Sequence, residues 1–324
     1  MFRLTLLRVA IVLYLFLHTL QSGGVRLYPT SKEVDDSPAK DLVGAPAKHF
    51  FTSLKSNSVE EIIFEQSSSE WGEIYFAGLQ TPSNGPDDNY YGLHATMDVY
   101  GHELKPGQLS STTIWIFHAG DGSTSSLNAI QVGWHIYPDH YGDSHTHFYT
   151  SWTRDGDETT GCYNMGCPGF IPADGAVIAP GDVIHPVSKV PDGPVQNITL
   201  RVNKDKSTGD WWVYYGFNNI PTGIGYFPKS LFSYLAQKAT KIGFGAFVAS
   251  KKALPTAPMG SGALPNGGMV RAASFTDLRL IDQEGNSIPI LTNLTKTVTD
   301  EKCHSITPID HDRCLYGGPG GCIR

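Results

Sequence analysis

A chain of 324 residues is long enough for one large domain or two ordinary ones and needs no staples for size alone. Its formal net charge of -7, with 31 Asp and Glu against 24 Lys and Arg, excludes a nucleic-acid surface, because phosphate neutralisation needs clustered cations. Lys251-Lys252 is an isolated pair.

Met1 to Arg8 is basic and Val9 to Leu17 is apolar, the pattern of a signal peptide over residues 1–24, with small residues Ser22 and Gly24 placing cleavage after Gly24. A membrane-spanning helix needs ~20 apolar residues. Arg8 and His18 bracket a shorter run and no later segment is apolar enough, so a secreted, extracellular chain without a membrane partner is expected. Residues 25–77 are polar, with serines at 67–69 and charges around Asp35 to Asp41, and read as a short leader before a domain at 78–324.

From Tyr91 onward the pattern alternates with period two: Leu93, Ala95, Met97 and Val99 against His94, Thr96, Asp98 and Tyr100. Further strands are predicted at 114–117, 129–136, 147–153, 197–203, 211–217, 244–249 and 275–281. Lys204 to Asp210 and Glu284-Gly285-Asn286 have hairpin composition. One helix is predicted: Pro228 suits a first turn, Leu231, Phe232, Leu235 and Ala239 follow at helical spacing, and Gly243 can end it. Many short strands and one short helix indicate an all-β fold, a two-layer antiparallel β-sandwich.

All five cysteines lie beyond residue 160, which fits an oxidising compartment. Cys162 and Cys167 are flanked by glycines and close enough in sequence for a local disulfide. The alternative is a zinc half-site, although Cys303, Cys314 and Cys322 are too unevenly spaced for a second knuckle. One cysteine must be left over. Asn197-Ile198-Thr199 and Asn293-Leu294-Thr295 are glycosylation sequons at Asn197 and Asn293.

No GxSxG, HExxH or phosphate-cradling loop is present, and no cofactor or metal is expected. His135, His140, His145 and His147 lie in polar, loop-like sequence and read as a solvated strand face. The dense aromatics Trp134, Trp152, Trp211, Trp212, Tyr214 and Tyr215 suit a sandwich core, or a cleft stacking on proline rings or sugars, for which Trp134, Trp152 and Tyr214 are the candidates.

Several ungapped strings carry a more specific signal. Leu127 to Trp134 (LNAIQVGW), Tyr137 to Asp143 (YPDHYGD), Thr160 to Phe170 (TGCYNMGCPGF), Gly225 to Phe232 (GYFPKSLF), Met259 to Gly262 (MGSG) and Tyr316 to Gly320 (YGGPG) closely resemble the neprosin family, in the family's order. That resemblance implies a curved two-sheet sandwich with a peptide cleft, which active members use as a secreted glutamic peptidase cutting after proline, in a family found chiefly in plants. It implies an apoplast or cell-wall location, pairing of Cys162 with Cys167 and of Cys303 with Cys322, and Cys314 as the odd thiol.

The resemblance also implies two catalytic glutamates, one in Ile-Glu-Ala-Gly-Trp and one in Gly-Gly-Glu-Val. This chain has Gln131 and Phe247 at those places. Gln131 can still donate to an oxyanion, and a related family pairs Gln with Glu. Phe247 removes the proton acceptor, and Glu103, Glu158, Glu284 and Glu301 are predicted in loops. The leader is short and matches the family's activation segment poorly. The expectation is a catalytically silent member that binds proline-rich polypeptides. The alternatives are an active endopeptidase with an unrecognised carboxylate and a carbohydrate-binding wall protein.

Overall fold

The alternating stretches form strands and leave the connections to glycine and proline. Strands β1 (Trp71–Gln80), β2 (Gly92–Asp98), β3 (Gln108–His118) and β4 (Asn128–Ile136) precede the helix α1 (Pro138–Tyr141), followed by β5 (His147–Thr153), β6 (Cys162–Tyr163) and β7 (Ile171–Pro172). Then come β8 (Asn197–Lys204), β9 (Trp211–Phe217), β10 (Thr222–Phe227), β11 (Lys241–Lys251), β12 (Ala273–Ile281), β13 (Ser287–Pro289), β14 (Thr295–Val298), β15 (Ser305–Ile306) and β16 (Arg313–Gly317). This computed structural model describes residues 71–82, 89–190, 193–267, 272–290 and 294–322. The stretch predicted as signal peptide, most of the predicted leader, and Asn293 lie outside the described residues.

Two antiparallel sheets result. The first has the order β14-β1-β11-β3-β4-β5-β6, and the second β15-β16-β12-β2-β8-β9-β10-β7, with β13 paired to β12. Ile114, Ile116, Ile130, Val132, Trp134, Phe244 and Ala246 of the first sheet pack with Leu93, Ala95, Met97, Leu200, Val202 and Val213 of the second. The Trp134 indole N–H crosses the interface to the carbonyl of Asp98 at 2.9 Å, so this apolar ring is buried without an unmade hydrogen bond. The first sheet is apolar on its outer face too, where Phe76, Leu109, Trp115, Phe117, Ala129, Tyr149, Tyr163 and Phe247 form a second cluster.

Three local expectations are corrected. The stretch from Pro228 to Ala239 is not an α-helix: only Lys229–Leu231 makes a 3-10 turn. Its backbone is taken elsewhere, since the Asn128 side chain accepts from the Tyr234 and Leu235 amides, Trp211 donates to the Leu235 carbonyl, and Ala239 pairs with Tyr90. The helical spacing of Leu235 and Ala239 records burial, not a helix. Secondly, residues 71–77, read as leader, belong to β1, which pairs with β11 inside the first sheet. Thirdly, His135 and His147 are buried at 2% and 5% exposure, so theirs is not a solvated face.

Cys162 is bonded to Cys167 and Cys303 to Cys322, which removes the zinc alternative, and Cys314 is a free buried thiol. Burial pushes the Cys314 thiol well up, against weaker opposing effects of a backbone hydrogen bond and Arg313. Since the thiolate is the reactive form, native protein is expected to resist iodoacetamide at neutral pH and to gain one label per chain in denaturant. Mass spectrometry of the alkylated protein checks this, and labelling without denaturant would contradict it. Asn197 is half-buried at the start of β8, and its sequon partner Thr199 is hydrogen-bonded to Thr96 at 2.8 Å.

Candidate functional site

Because side chains alternate across a strand, odd-numbered residues of β3, β4, β5 and β11 share the outer face of the first sheet. Gln131 stands opposite Trp115 of β3 and Ser151 of β5. Phe247 stands opposite Phe76 of β1 and Ser111 of β3, and Ser111 in turn faces His135. The two positions therefore share a face, with β3 between them, and are displaced by four residues in register. At ~3.3 Å per residue and ~4.8 Å per strand, their backbones would be about 16 Å apart on a flat sheet. They are not hydrogen-bonding neighbours. The row between them is Gly245, Thr113 and Gly133. On β11, β3 and β4 that row carries only the buried Thr113 side chain and forms the floor of a shallow trough between a Gln131–Trp115 wall and a Phe247–Ser111–His135 wall. Tyr149 of β5 closes one end, and the Phe76 and Trp115 rings, 5.4 Å apart, close over Gly78 of β1 at the other.

The Gln131 wall carries unmet hydrogen-bonding capacity. Gln131 is 2% exposed, and among the described residues its amide oxygen has no partner and the indole N–H of Trp115 has none either. Trp115 can lie over Gly243 only because that residue lacks a side chain, since a Cβ there would come within 2.5 Å of Nε1. An acceptor and a donor thus stand on neighbouring strands of one face, the complement of a peptide group. Each unmet buried group costs about 1–3 kcal/mol until a partner reaches it.

The other wall is an aromatic network. The His135 ring stacks on Tyr149 with centroids 4.3 Å apart and planes 7° from parallel, and it hydrogen-bonds the hydroxyls of Tyr141 (2.8 Å) and Tyr163. Asn164 donates to Tyr141, while the two ring nitrogens of His147 meet the Gly181 carbonyl and Asp143. Burial first, then the nearby His140 and His147, hold His135 neutral well below the usual histidine range. His140 is pushed down to about 4 by burial and by His147. No group of three or more His, Cys, Asp or Glu able to hold a metal occurs among the described residues.

The family model for neprosin matches residues 106–319, a span holding both walls of the trough. The chain belongs to the neprosin family. Among solved structures it is similar to scytalido-glutamic peptidase with a peptide-based transition-state analogue, at 12% identity over 76% of this chain and 98% of that chain, with a TM-score of 0.41. It is also similar to SCP-B, a member of the eqolisin family of peptidases in complex with the tripeptide Ala-Ile-His, at 11% identity over 75% and 98% of the two chains, with a TM-score of 0.37.

In this neprosin the remaining sequence candidates are dispersed. Trp134 and Trp152 belong to the core between the sheets, and Tyr214 stands on the outer face of the second sheet, so none lines the trough. Glu103, Glu158, Glu284 and Glu301 are all exposed; Glu284 pairs with Lys206 and Glu301 with Lys296. A cavity of about 740 Å³ lies apart from Gln131 and Phe247, among loops that include His102, Glu103, Ser144, His185 and Lys189.

A further buried carboxyl group stands near this face. Asp157, in the β5–β6 connection, has a left-handed backbone (φ 66°) and its amide donates to Thr153 Oγ1 at 2.8 Å. Its carboxyl rests over Gly161, where a Cβ would lie 2.4 Å from Oδ1, and its Oδ2 is buried without a partner among the described residues. Burial, then the Asp155 charge, raise its pKa well above the usual carboxylate range, opposed by the Thr153 hydroxyl. Thr153 pairs with Ala129, two residues along β4 from Gln131, which puts Asp157 at the end of the same face. The available signal was the pair Asp155 and Asp157, two like charges immediately after a strand end.

Proposed function

We propose that this neprosin is an extracellular protein that holds an extended, proline-rich polypeptide in the trough of its first sheet and does not cut it. The observation that carries the reading is Phe247. A buried hydrocarbon ring stands where active members are expected to have a carboxylate, in an apolar cluster with Phe76, Leu109 and Trp115. Hydrolysis without a covalent intermediate needs a group that takes a proton from water and a second that stabilises the oxyanion. The Gln131 amide can fill only the second role. The unpartnered Gln131 oxygen and Trp115 N–H supply what a peptide backbone needs to dock, and proline favours the extended conformation that a trough accepts. The basic and apolar N-terminus and the two disulfides support secretion.

A second reading has Asp157 in its favour: an active endopeptidase in which that carboxyl replaces the missing glutamate. Its raised pKa suits a general acid, and it stands on the face of Gln131. One experiment separates the two. Purified mature protein is incubated with a proline-rich peptide at pH 4 to 6 and the mixture followed by mass spectrometry. Intact peptide supports the silent reading. Fragments that track the protein peak and disappear in Asp157→Asn would establish the second.

A further inference from the structure

The outer face of the second sheet carries aromatics where solvent-facing strands usually carry polar residues. Tyr226 of β10, Trp212 of β9 and Asn203 of β8 form one row across the strands. The next row holds Gly223, Tyr214, Arg201, His94 of β2 and Arg279 of β12. The Trp212 ring lies 5.0 Å from Tyr226 and 6.3 Å from Tyr214, and all three are half-buried. Gly223 lies beside both rings without a side chain; a Cβ there would make ordinary contact with Trp212 at 3.4 Å and Tyr214 at 3.5 Å.

Arg201 is oriented beside this platform. Its guanidinium sits 5.6 Å over the Tyr214 ring, donates from Nε to Asn203 at 2.7 Å, and donates through a terminal nitrogen to the Gly285 carbonyl at 3.0 Å. A guanidinium has five N–H donors, so donors remain free. Its neighbour Arg279 is neutralised by Asp277, which also binds His94, whereas Arg201 has no carboxylate partner among the described residues. An oriented and uncompensated cation therefore lies one strand from a row of open aromatic faces.

We propose that this strip is a binding site for an acidic polysaccharide, a polymer of uronic-acid sugars. The apolar C–H face of a pyranose ring stacks on Trp212 and Tyr226, and its carboxylate meets Arg201, whose guanidinium Asn203 holds in place. Charge complementarity at Arg201 selects this occupant over a neutral glucan, which would use the rings and leave the cation unanswered. A proline-rich peptide also stacks on aromatic rings, but it brings no carboxylate to Arg201. The site is on the sheet opposite to Gln131 and Phe247 and does not depend on how the trough functions.

Affinity electrophoresis of the mature chain in gels containing polygalacturonate, its methyl ester or a neutral β-glucan tests the proposal. Polygalacturonate is expected to retard the protein, with Trp212→Ala and Arg201→Gln each weakening the apparent affinity about tenfold, a change of ~1.4 kcal/mol, and Trp212→Phe retaining most of it. Circular dichroism and the thermal midpoint establish that each variant is folded. Absence of retardation, equal retardation of the folded Trp212→Ala or Arg201→Gln protein, equal retardation by the methyl ester or the glucan, or displacement of the polymer by a proline-rich peptide would each overturn it.

Discussion

Gln131→Glu combined with Phe247→Glu is expected to create cleavage of proline-containing peptides at acidic pH, whereas Gln131→Glu alone creates none. The asymmetry follows from the roles, given sheet curvature that brings the two long side chains, about 16 Å apart at the backbone on a flat sheet, towards one water. An amide at position 131 can hydrogen-bond an oxyanion, but a phenyl ring at 247 neither accepts a proton nor leaves room for water. Phe247→Glu alone, which leaves an amide and carboxylate pair, is expected to give weak activity. In other hydrolases the loss of a key member of the catalytic unit costs roughly six orders of magnitude in turnover, so even partial restoration stands far above background. The substitution removes a ring from the cluster containing Phe76 and Trp115, at a cost of about 3–5 kcal/mol from lost packing. Urea midpoints must therefore accompany the rates. A folded double variant with no turnover would mean that more than two side chains separates this trough from a peptidase.

The second large effect concerns acid stability. His304 is completely buried, neither ring nitrogen has a hydrogen-bond partner among the described residues, and its ring packs 5.0 Å from Tyr75. Burial lowers its pKa to about 4, slightly opposed by Asp300. A histidine that is neutral when folded and has an ordinary pKa when unfolded leaves stability intact above about 6.5. As pH falls towards about 4 the unfolded chain takes up the proton first, and stability is lost. For His304 the loss is about 3 kcal/mol, roughly 6–12 °C in melting temperature for a domain of this size. His135 and His140 act in the same direction. The raised carboxyls of Asp98 and Asp157 act oppositely, since protonation favours the folded state there. Calorimetry between pH 7 and pH 4 is expected to show a shallower decline for His304→Phe than for the unsubstituted chain. Superimposable pH profiles would contradict this account of His304.

How much was legible beforehand depended on whether burial was one-sided. β2 faces the core with Leu93, Ala95 and Met97, continued by Val99 just beyond its end, and leaves His94 and Thr96 half-exposed, so period two is visible in its sequence. β3 is buried on both faces with Ser110 to Thr113 included, which erases alternation, and only its apolar segment 114–117 was predicted. The 3-10 turn after Pro228 was misread because apolar spacing cannot distinguish a helix from a segment anchored by Asn128, Trp211 and Tyr90, residues distant in sequence. The burial of His135 depends on Tyr141, Tyr149 and Tyr163, which three separate segments bring to one place.

For the site, family strings located Gln131 and Phe247, but register was hidden. No string tells that the two positions lie four residues apart along the strands, with Gly245, Thr113 and Gly133 between them. Nor does composition identify Trp115 as the indole beside Gln131, because that contact depends on the bare surface of Gly243. Asp157 is equally hidden in the sequence, because the burial of its carboxyl depends on a left-handed backbone and on the bare surface of Gly161.

The central claim is that the first sheet holds a peptide without cutting it. It is tested most directly by fluorescence-anisotropy titration of a labelled proline-rich peptide with the mature protein at pH 5, followed by recovery of the peptide. The account predicts saturable binding, weakened by Trp115→Phe through loss of the indole donor, with the peptide recovered intact. Absence of binding, or recovery of fragments in proportion to the protein added, would contradict it.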